Sequence, residues 1–396
     1  QRATGHLLEA HRIAPREPEL ASHLGRLYWE RLTDAESRRE RFLAQFYQGQ
    51  LLALGRPEDA RRLSAGGHVS VECHPIPKEL TLHRLVEDRR VLRPGDPVEL
   101  SRKVRSDELS IGAYQLEVKA EGFPGVRLPV RVERECTTEV SLALRRDSDI
   151  GDGFVWIPAG EFIMGGDPDT FESVPRAEVE VEDFCIARFP VTWEQYQAYL
   201  QARLDSGDDI EEWMPKLENA HGRPWHIRDG QVHYAQASEN APVESRRQWP
   251  VFSVTHTDAV EYCRWRTENE GRVYDLPTDS EWEKAARGVD ERVFPWGNRF
   301  DPSLCRNSGS SEGRAQPGPV GEYEADCSPY GVRDMAGGVR EWCASWFNEK
   351  DEQRLIRGGS WNFGEIGAHC AYRLGCSPSL HFPFIGFRLV HRFESA

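Results

Sequence analysis

Several features of common protein classes are missing from this sequence, and each missing feature argues against one class of protein. No apolar run approaches the roughly 18–20 residues that a helix needs to cross a bilayer, so the sequence predicts no transmembrane segment. The formal net charge of −15 argues against a general nucleic-acid or anionic-membrane surface. The chain begins at Gln1 without a secretory pattern, which is typical of a fragment or a processed chain.

The cysteines and histidines form no recognisable site. The nine cysteines are scattered, without a C-x-x-C pair. Such a set fits reduced thiols better than a disulfide framework, so a reducing, cytoplasmic compartment is favoured. His221, His226 and His233 lie in one segment, but their spacing matches no standard metal site, and Pro224 interrupts any single helix. A solvated loop is the favoured interpretation, with a metal site as the alternative.

The first part of the chain predicts scaffold modules. Residues 1–63 have helical spacing of apolar residues, namely Leu20, Leu24, Leu27, Tyr28, Phe42, Phe46, Leu51 and Leu52. After Ser64 the pattern changes to alternation, as in Val69 to Cys73, Tyr114 to Val118 and Val140 to Leu144. We expect a helical hairpin or bundle and then a small β-sandwich at 66–145, with no catalytic constellation in the sandwich.

The remaining segment, 153–392, contains most of the Trp and Phe, which predicts a large aromatic core. Two helices are expected from their caps. Thr192 can cap a helix with Gln195 at the third position. Thr278 or Asp279 can cap another helix that ends at Gly288. The expected fold class of this domain is α+β, with short strands and long Gly- and Pro-rich turns.

Many short motifs of this domain occur in the order known from one family. They include Phe154-Val155-Trp156-Ile157-Pro158-Ala159-Gly160, Leu276-Pro277-Thr278, Asp334-Met335-Ala336-Gly337-Gly338-Val339-Arg340-Glu341-Trp342 and Arg357-Gly358-Gly359-Ser360-Trp361. The segment therefore resembles the formylglycine-generating-enzyme/sulfatase-modifying-factor family, whose fold is C-type lectin-like. The stretch 110–123 resembles a PEGA-type β-domain. The whole chain is similar to the C-terminal half of bacterial proteins that join a Ser/Thr kinase to a formylglycine-enzyme domain.

The catalytic residues that this resemblance would require are missing. Formylglycine generation uses a cysteine pair, and the matching positions hold Phe363 and Ala368, which can neither bind copper nor form a thiolate. Cys370 and Cys376 lie nearby, but in the wrong register and spacing. The family's iron oxygenases need a His-x-x-x-His-x-Glu triad, which the histidines do not form, and no kinase signature is present. The sequence therefore predicts a protein that is not an enzyme.

Two groups of carboxylates invite a functional interpretation. In the family, a Gly-Asn-Val-Trp-Glu-Trp motif helps to build a structural calcium site. Here Gly338 replaces the asparagine and Glu341 is kept, so the resemblance implies structural calcium as the one cofactor to consider. Asp279, Glu281 and Glu283 could form paired carboxylates for acid–base chemistry. Capping at a helix N-terminus explains these three acids better.

Residues 362–384 are the segment on which the function depends. They lack a lasting period and carry charge only at Glu365 and Arg373. Between Arg357-Gly358-Gly359-Ser360-Trp361 and Ile385-Gly386-Phe387-Arg388, with Ala371-Tyr372-Arg373 and Pro378 in between, they resemble the variable proteins of diversity-generating retroelements. Mutagenesis in those proteins cannot readily produce Lys, Glu, Gln, Met or Trp. Of these residue types, the segment contains only Glu365.

The resemblance implies a non-catalytic protein that binds a protein or other macromolecular ligand, not a nucleic acid, through 362–384. The expected ligand-binding residues are Phe363, Ile366, His369, Tyr372, Leu374, Cys376, Ser379, Leu380, His381, Phe382 and Phe384. The expected framework residues are Arg357, Gly358, Gly359, Ser360, Trp361, Arg373, Gly386, Phe387 and Arg388. We expect Arg373 and Arg388 to make buried, charge-assisted hydrogen bonds.

Three alternatives stay open for this segment. Its surface could be fixed, as the sensor or partner-binding module of a kinase-type signalling protein. The domain could be a formylglycine-generating-type oxidase, which the missing cysteine pair disfavours. The apolar residues could also be ordinary core. In that case display of the segment would fail, because the following residues would be mostly buried: Phe363, Leu374, Leu380, His381, Phe382 and Phe384.

Overall fold

The computed structural model describes residues 17–37, 40–100, 106–170, 172–215, 225–234, 246–310 and 315–393. These residues form two compact units. The first contains the described residues up to Ser70, together with Ser106–Ile111 and Val132–Thr138, and the second contains the others. The division into domains at 1–63, 66–145 and 153–392 stays a prediction. Within the described residues, no helix is long and apolar enough to cross a membrane.

The first unit is built on helices. They are α1 (Pro18–Ser37), α2 (Arg41–Ala53) and α3 (Pro57–Ser64). Their core contains Leu24, Tyr28, Trp29, Leu32 and Leu51. The Trp29 indole donates a 2.8 Å hydrogen bond to the buried Asp59 carboxylate, which ties α3 to α1. Helical structure is therefore confirmed for the described part of the predicted bundle.

The predicted apolar stripe of α2 is only partly buried. Leu51 lies in the core, whereas Phe42, Phe46 and Leu52 are 88%, 52% and 59% exposed. A helix that packs on one side buries only the residues on that side, and Phe42 and Phe46 lie off it, whereas Tyr47 packs against the core. The helical spacing did not show which of these side chains are core.

The alternating segments form strands, as predicted. These are β1 (His68–His74), β2 (Glu79–Asp88), β3 (Val91–Glu99), β4 (Gly112–Lys119), β5 (Val126–Val132) and β6 (Thr137–Ala143). Four of them make a sheet of order β3-β2-β4-β5, in which β2 is antiparallel to both β3 and β4. Inward residues such as Leu82, Leu116 and Val118 are fully buried, and alternate positions are more exposed.

The rest of the second unit combines short strands and helices in an α+β arrangement. Its helices are α4 (Asp147–Ile150), α5 (Trp193–Asp205), α6 (His256–Glu270), α7 (Asp279–Arg287) and α8 (Glu365–Ala368). Its strands are β7 (Phe154–Ile157), β8 (Gly160–Met164), β9 (Ala177–Val181), β10 (Phe184–Ala187), β11 (Trp225–Arg228), β12 (Gln231–Tyr234), β13 (Tyr274–Asp275), β14 (Arg340–Asn348), β15 (Gln353–Arg357), β16 (Arg373–Cys376), β17 (Ile385–Gly386) and β18 (Val390–Arg392).

The predicted helix caps are confirmed. The Thr192 side chain accepts a hydrogen bond from the Gln195 N–H at the start of α5, and the Gln195 side chain returns one. Thr278 and Glu281 make the same capping box on α7, which ends before Gly288 at φ +68°. A third capping box, which the sequence analysis did not identify, joins Thr255 and Asp258 on α6.

A four-stranded sheet of order β16-β15-β14-β17 holds both ends of the 362–384 segment. β15 leads into the segment, and β17 leaves it beside β14 in parallel register, with Arg340 opposite Ile385. The segment was predicted to be irregular throughout. Instead, Arg373–Cys376 form β16, antiparallel to β15, with Arg357 opposite Arg373. The segment is therefore two arms, 362–372 and 377–384, on either side of a strand.

Candidate functional site

Arg357 anchors the first arm from beneath. Its side chain is fully buried and donates to Asp279 and to Glu283, and also to the carbonyl oxygens of Cys370 and Tyr372. Burial alone would lower the pKa of Arg357, but the two carboxylates outweigh it and raise the pKa above its usual value. Arg373 shares Asp279 through a 2.9 Å hydrogen bond. One guanidinium therefore holds both α7 and the first arm.

Arg388 anchors the end of the segment in the same way. It makes two hydrogen bonds of 2.6 Å to the two carboxylate oxygens of Glu341, and both side chains are fully buried. The Trp282 indole also donates to Glu341, at 2.7 Å. Such bidentate, charge-assisted pairs fix geometry as well as charge. The predicted buried, charge-assisted hydrogen bonds are confirmed for Arg388, whereas the charge-assisted bond of Arg373 is only partly buried.

The predicted calcium ligand Glu341 is therefore already occupied by protein donors. A cation at this carboxylate would have to replace Arg388 or Trp282. Among the described residues, no group of three or more His, Cys, Asp or Glu side chains has a metal-site geometry. Structural calcium stays a prediction.

The framework residues on either side of the 362–384 segment include glycines that allow close contact with neighbouring backbone. A Cβ at Gly359 would collide with the Ala336 carbonyl oxygen, and one at Gly386 with that of Val251. Gly358 has φ +80°, which disfavours any residue with a Cβ. The Trp361 indole donates a 3.0 Å hydrogen bond to the Pro383 carbonyl, so it joins the two arms directly. Ser360 and Phe387 are buried, as expected of framework residues.

The expected ligand-binding residues fall into three groups by exposure. Phe363, Ile366, Ser379, Leu380 and Phe382 are exposed. Tyr372, Leu374, His381 and Phe384 are half-buried. His369 and Cys376 are buried, at 5% and 7% exposure. The alternative that the apolar residues of the segment are ordinary core is therefore wrong for most of them.

Two exposed rings and the half-buried Phe384 form one continuous group, which we call the aromatic patch: Phe363, Phe382 and Phe384. Phe382 stacks on Phe384 with centroids 5.2 Å apart, and Phe363 meets Phe384 edge-on at 5.4 Å. Phe363 and Phe382 are 38% and 36% exposed, and Ile366 and Leu380 of the same arms are 43% and 46% exposed. Rings that are packed against each other but open to solvent suit binding of a partner.

Two of the expected ligand-binding residues are wrong. His369 is covered, donates to or accepts from Asp167 at 2.8 Å, and lies 4.7 Å from the Phe294 ring. Burial alone would raise the pKa of Asp167, but its hydrogen bond with His369 and the charge of His369 lower it. Cys376 is the last residue of β16, opposite Arg354, and its side chain faces inward. Sequence position in a loop does not show which way each side chain faces.

The two cysteines nearest to the missing catalytic pair, Cys370 and Cys376, are held as protonated thiols. Phe363 and Ala368 occupy the family's cysteine positions. Cys370 is buried and unbridged, and burial raises its pKa far above that of a free thiol. Burial also raises the pKa of Cys376 to about 11. Thiolate is the reactive form, so neither residue offers a ready nucleophile or copper ligand at neutral pH.

The acids of α7 and the clustered histidines were the other candidate sites in the sequence. The acids make structural contacts. Glu281 completes the α7 capping box, as expected, and it also pairs with Arg392. Asp279 and Glu283 do more than cap the helix, because they are the anchors of Arg357. His226 and His233 stack across the exposed side of the β11–β12 hairpin, at 5.6 Å. His221 lies outside the described residues.

The buried Asp326 and the half-buried Asp334 were not identified from the sequence. Asp326 accepts hydrogen bonds from the backbone N–H groups of Met335 and Ala336. Burial first, and then the charge of Asp334, raise the pKa of Asp326 to about 8. Burial raises the pKa of Asp334 to about 6. Their spacing in the sequence did not indicate raised pKa values, because ordinary turns also contain aspartates.

We expect the stability of the second unit to fall between about pH 6.5 and 8. Asp326 binds a proton in the folded state up to about pH 8, whereas in the unfolded chain it is ionised above pH ~4. The unfolded state then binds fewer protons, so the free energy of unfolding decreases as pH rises, by about 1.4 kcal/mol per pH unit for one full proton.

Urea unfolding in EDTA at several pH values measures this slope. Asp326→Asn, which keeps an acceptor for the two N–H groups, is expected to flatten it. A slope of equal size in Asp326→Asn would show that another group titrates. Below pH 6.5 the neutral His256, whose pKa burial lowers to about 4, acts in the opposite sense and obscures the effect.

Comparison with known proteins shows the family of the domain. Residues 141–393 match the sulfatase-modifying factor enzyme 1-like domain. The chain is 29% identical over 286 residues to the inactive C-alpha-formylglycine-generating enzyme 2 of Bos taurus, covering 63% of this chain and 93% of that protein. It is 30% identical to the formylglycine-generating enzyme of Thermomonospora curvata, covering 52% and 75%. It is also 30% identical to the serine/threonine-protein kinase pkn1 of Chlamydia caviae, covering 59% and 37%.

A likeness to solved structures accompanies these matches. The variable protein 1 of Treponema denticola superposes on 61% of this chain and 95% of its own, with a TM-score of 0.45 and 18% sequence identity. Relatives of this chain thus include proteins named as enzymes and a protein named as inactive. Because the family match spans well over half of the sequence, the chain belongs to the sulfatase-modifying factor enzyme 1-like family, with its α+β, C-type lectin-like fold.

Proposed function

We propose that this protein is a non-catalytic binding protein whose 362–384 surface holds a protein ligand. The observation that carries the proposal is the aromatic patch. Phe363 and Phe382, which could have been core, are more than a third exposed, while Ser360 before the segment and Ile385 after it are buried. Aromatic anchors supply much of the energy of protein interfaces.

The rigid frame favours binding over a merely irregular loop. Arg357 and Arg388 fix the two ends of the segment, and Trp361 joins its arms. A surface that is ordered before binding loses less conformational entropy on association, which improves affinity. An oxidase role is disfavoured because Phe363 and Ala368 replace the cysteine pair and the thiols of Cys370 and Cys376 have raised pKa values.

We further propose that the exposed side chains of the segment are changeable, as in the proteins made by diversity-generating retroelements. Support comes from the order of the fixed motifs and from the residue types between them. The alternative is a fixed partner-binding surface of a kinase-type protein. A neighbouring reverse-transcriptase gene with an adenine-rich copy of this segment would favour diversification. A complete gene neighbourhood that contains neither a reverse-transcriptase gene nor an adenine-rich copy of the segment would favour the fixed surface.

Selection of phage-displayed random peptides on the immobilised chain tests the binding proposal. We expect enriched peptides that compete with one another and lose binding when Phe382 is replaced by alanine. Peptides that bind Phe382→Ala as well as the parent would place binding elsewhere. Oxidation of a cysteine-containing peptide by the copper-supplemented chain, above the rate with copper alone, would instead revive the oxidase.

A further inference from the structure

Arg340, directly beneath the first arm, is fully buried at the start of β14. Among the residues that the structure describes, none of its three guanidinium nitrogens makes a hydrogen bond of normal geometry. Burial lowers the pKa of Arg340, and the neighbouring Tyr372 side chain only partly offsets this. Arg357 and Arg388, buried to the same degree, each make several. A buried cation without acceptors is costly, since the lost hydration is not replaced.

The surroundings of Arg340 cover its faces rather than its N–H edges. The guanidinium carbon lies 4.4 Å from the centre of the Phe363 ring and 4.9 Å from that of Tyr372. Cation–π contact of this kind stabilises the charge, but ring faces do not replace strong hydrogen-bond acceptors. The N–H groups, which lie in the guanidinium plane, have no carboxylate or carbonyl acceptor among the described residues.

Access to these N–H groups runs past a glycine and an exposed ring. A Cβ at Gly367 would lie 3.1 Å from Nη2 of Arg340, so the glycine leaves this edge of the guanidinium uncrowded. Phe363, which covers Arg340, is 38% exposed and belongs to the aromatic patch. A rotation of this ring would open the guanidinium to a group that is bound at the patch.

We propose that Arg340 receives a carboxylate of the ligand, a proposal that rests on the binding function proposed above. The planar guanidinium fork matches a carboxylate in two parallel hydrogen bonds. One cation balances one carboxylate, whereas a phosphate dianion would leave a negative charge among aromatic rings. Glu365, the only acid of the segment, is exposed and has no ion pair with Arg340 in the described structure. The carboxylate is therefore supplied from outside, by an acidic side chain or by a chain end.

Four short probes test this proposal on the full chain by calorimetry. N-acetyl-phenylalanine carries a chain-end carboxylate, and its amide is the neutral match. N-acetyl-Phe-Glu-amide carries a side-chain carboxylate, and the corresponding Gln compound is the neutral match. We expect at least one acid to bind tenfold or more tightly than its neutral match, and the one that does so identifies the source. Equal binding within both pairs would overturn the proposal.

The variant Arg340→Met must remove this preference. It is also expected to raise the urea midpoint of unfolding, because it removes an unpartnered buried charge, whereas a purely structural arginine would give a lower midpoint and an unchanged preference. Arg340→Trp places the residue of the family motif at this position. It replaces Arg340→Met in the same measurements if the methionine variant does not fold. An acid preference that survives in the folded variant would contradict the proposal.

The two proposals fail in different ways. If selected peptides lose binding in Phe382→Ala but bind Arg340→Met as well as the parent, the 362–384 surface binds ligands and the carboxylate receptor is wrong. If neither replacement changes their binding, the surface itself is wrong.

Discussion

Replacing Arg388 by methionine is expected to lower the free energy of unfolding by about 3–5 kcal/mol, the range for loss of one partner from a buried ion pair. Glu341 is fully buried, and Arg388 supplies hydrogen bonds to both of its carboxylate oxygens. The carbonyl oxygens of Ala187 and Arg333 would lose a donor as well. The negative charge of Glu341 would then keep only the Trp282 indole as a partner among those described here.

Urea unfolding followed by tryptophan fluorescence measures this change. Lys119→Met is a matched control, since Lys119 pairs with Glu79 at 3.0 Å but both side chains are more than half exposed. The control should change stability by less than about 0.5 kcal/mol, as exposed ion pairs contribute little. The double variant Arg388→Met, Glu341→Gln should recover part of the loss, because no uncompensated charge is left. A loss below about 1 kcal/mol in Arg388→Met would show that this pair does not hold the frame.

Replacing Phe382 by alanine is expected to weaken binding of a selected peptide about 30-fold, which corresponds to about 2 kcal/mol for a residue that anchors an interface. The Phe382 ring is 36% exposed and rests on Phe384, so it offers an open face while its position is held. Backbone contacts such as the hydrogen bond from the Ser253 N–H to the Phe382 carbonyl oxygen stay intact.

Surface binding to immobilised peptide measures this effect. Val273→Ala is the matched control, because Val273 is a 72% exposed apolar residue outside the 362–384 segment. It should leave the affinity unchanged. Equal affinities of the parent and Phe382→Ala, within twofold, would show that the aromatic patch does not contact the peptide. Circular dichroism of both variants separates lost contact from lost fold.

More of the fold than of the site could be predicted, because the residues that indicate a helix or strand lie close together in the sequence. The capping box of α5 was evident from two residues three apart, and the cap of α7 from Thr278 or Asp279, and both helices are confirmed. The partners of the framework arginines were not evident. Asp279 is 78 residues from Arg357 and was interpreted as a cap. Only the folded chain brings these charges together.

The binding surface was predicted in part. The sequence identified Phe363, Leu380 and Phe382, which are exposed, but also His369 and Cys376, which are buried. Cys376 is buried at the end of β16, and His369 is buried where its side chain meets Asp167 and Phe294. No period in so short a segment marks which of its side chains face inward. Arg340 was passed over because it lies inside a framework motif, where the absence of a partner cannot be seen from sequence.

The most direct test of a fixed frame with changeable side chains is to replace four exposed residues together: Ile366, Ser379, Leu380 and Phe382. Chains carrying random residues there would be screened for cooperative urea unfolding and then used to select peptides. We predict free energies of unfolding within about 0.5 kcal/mol of the parent for each replaced position, and different peptides for different chains. Loss of cooperative unfolding in most variants, or the same peptides from all of them, would contradict this view of the protein.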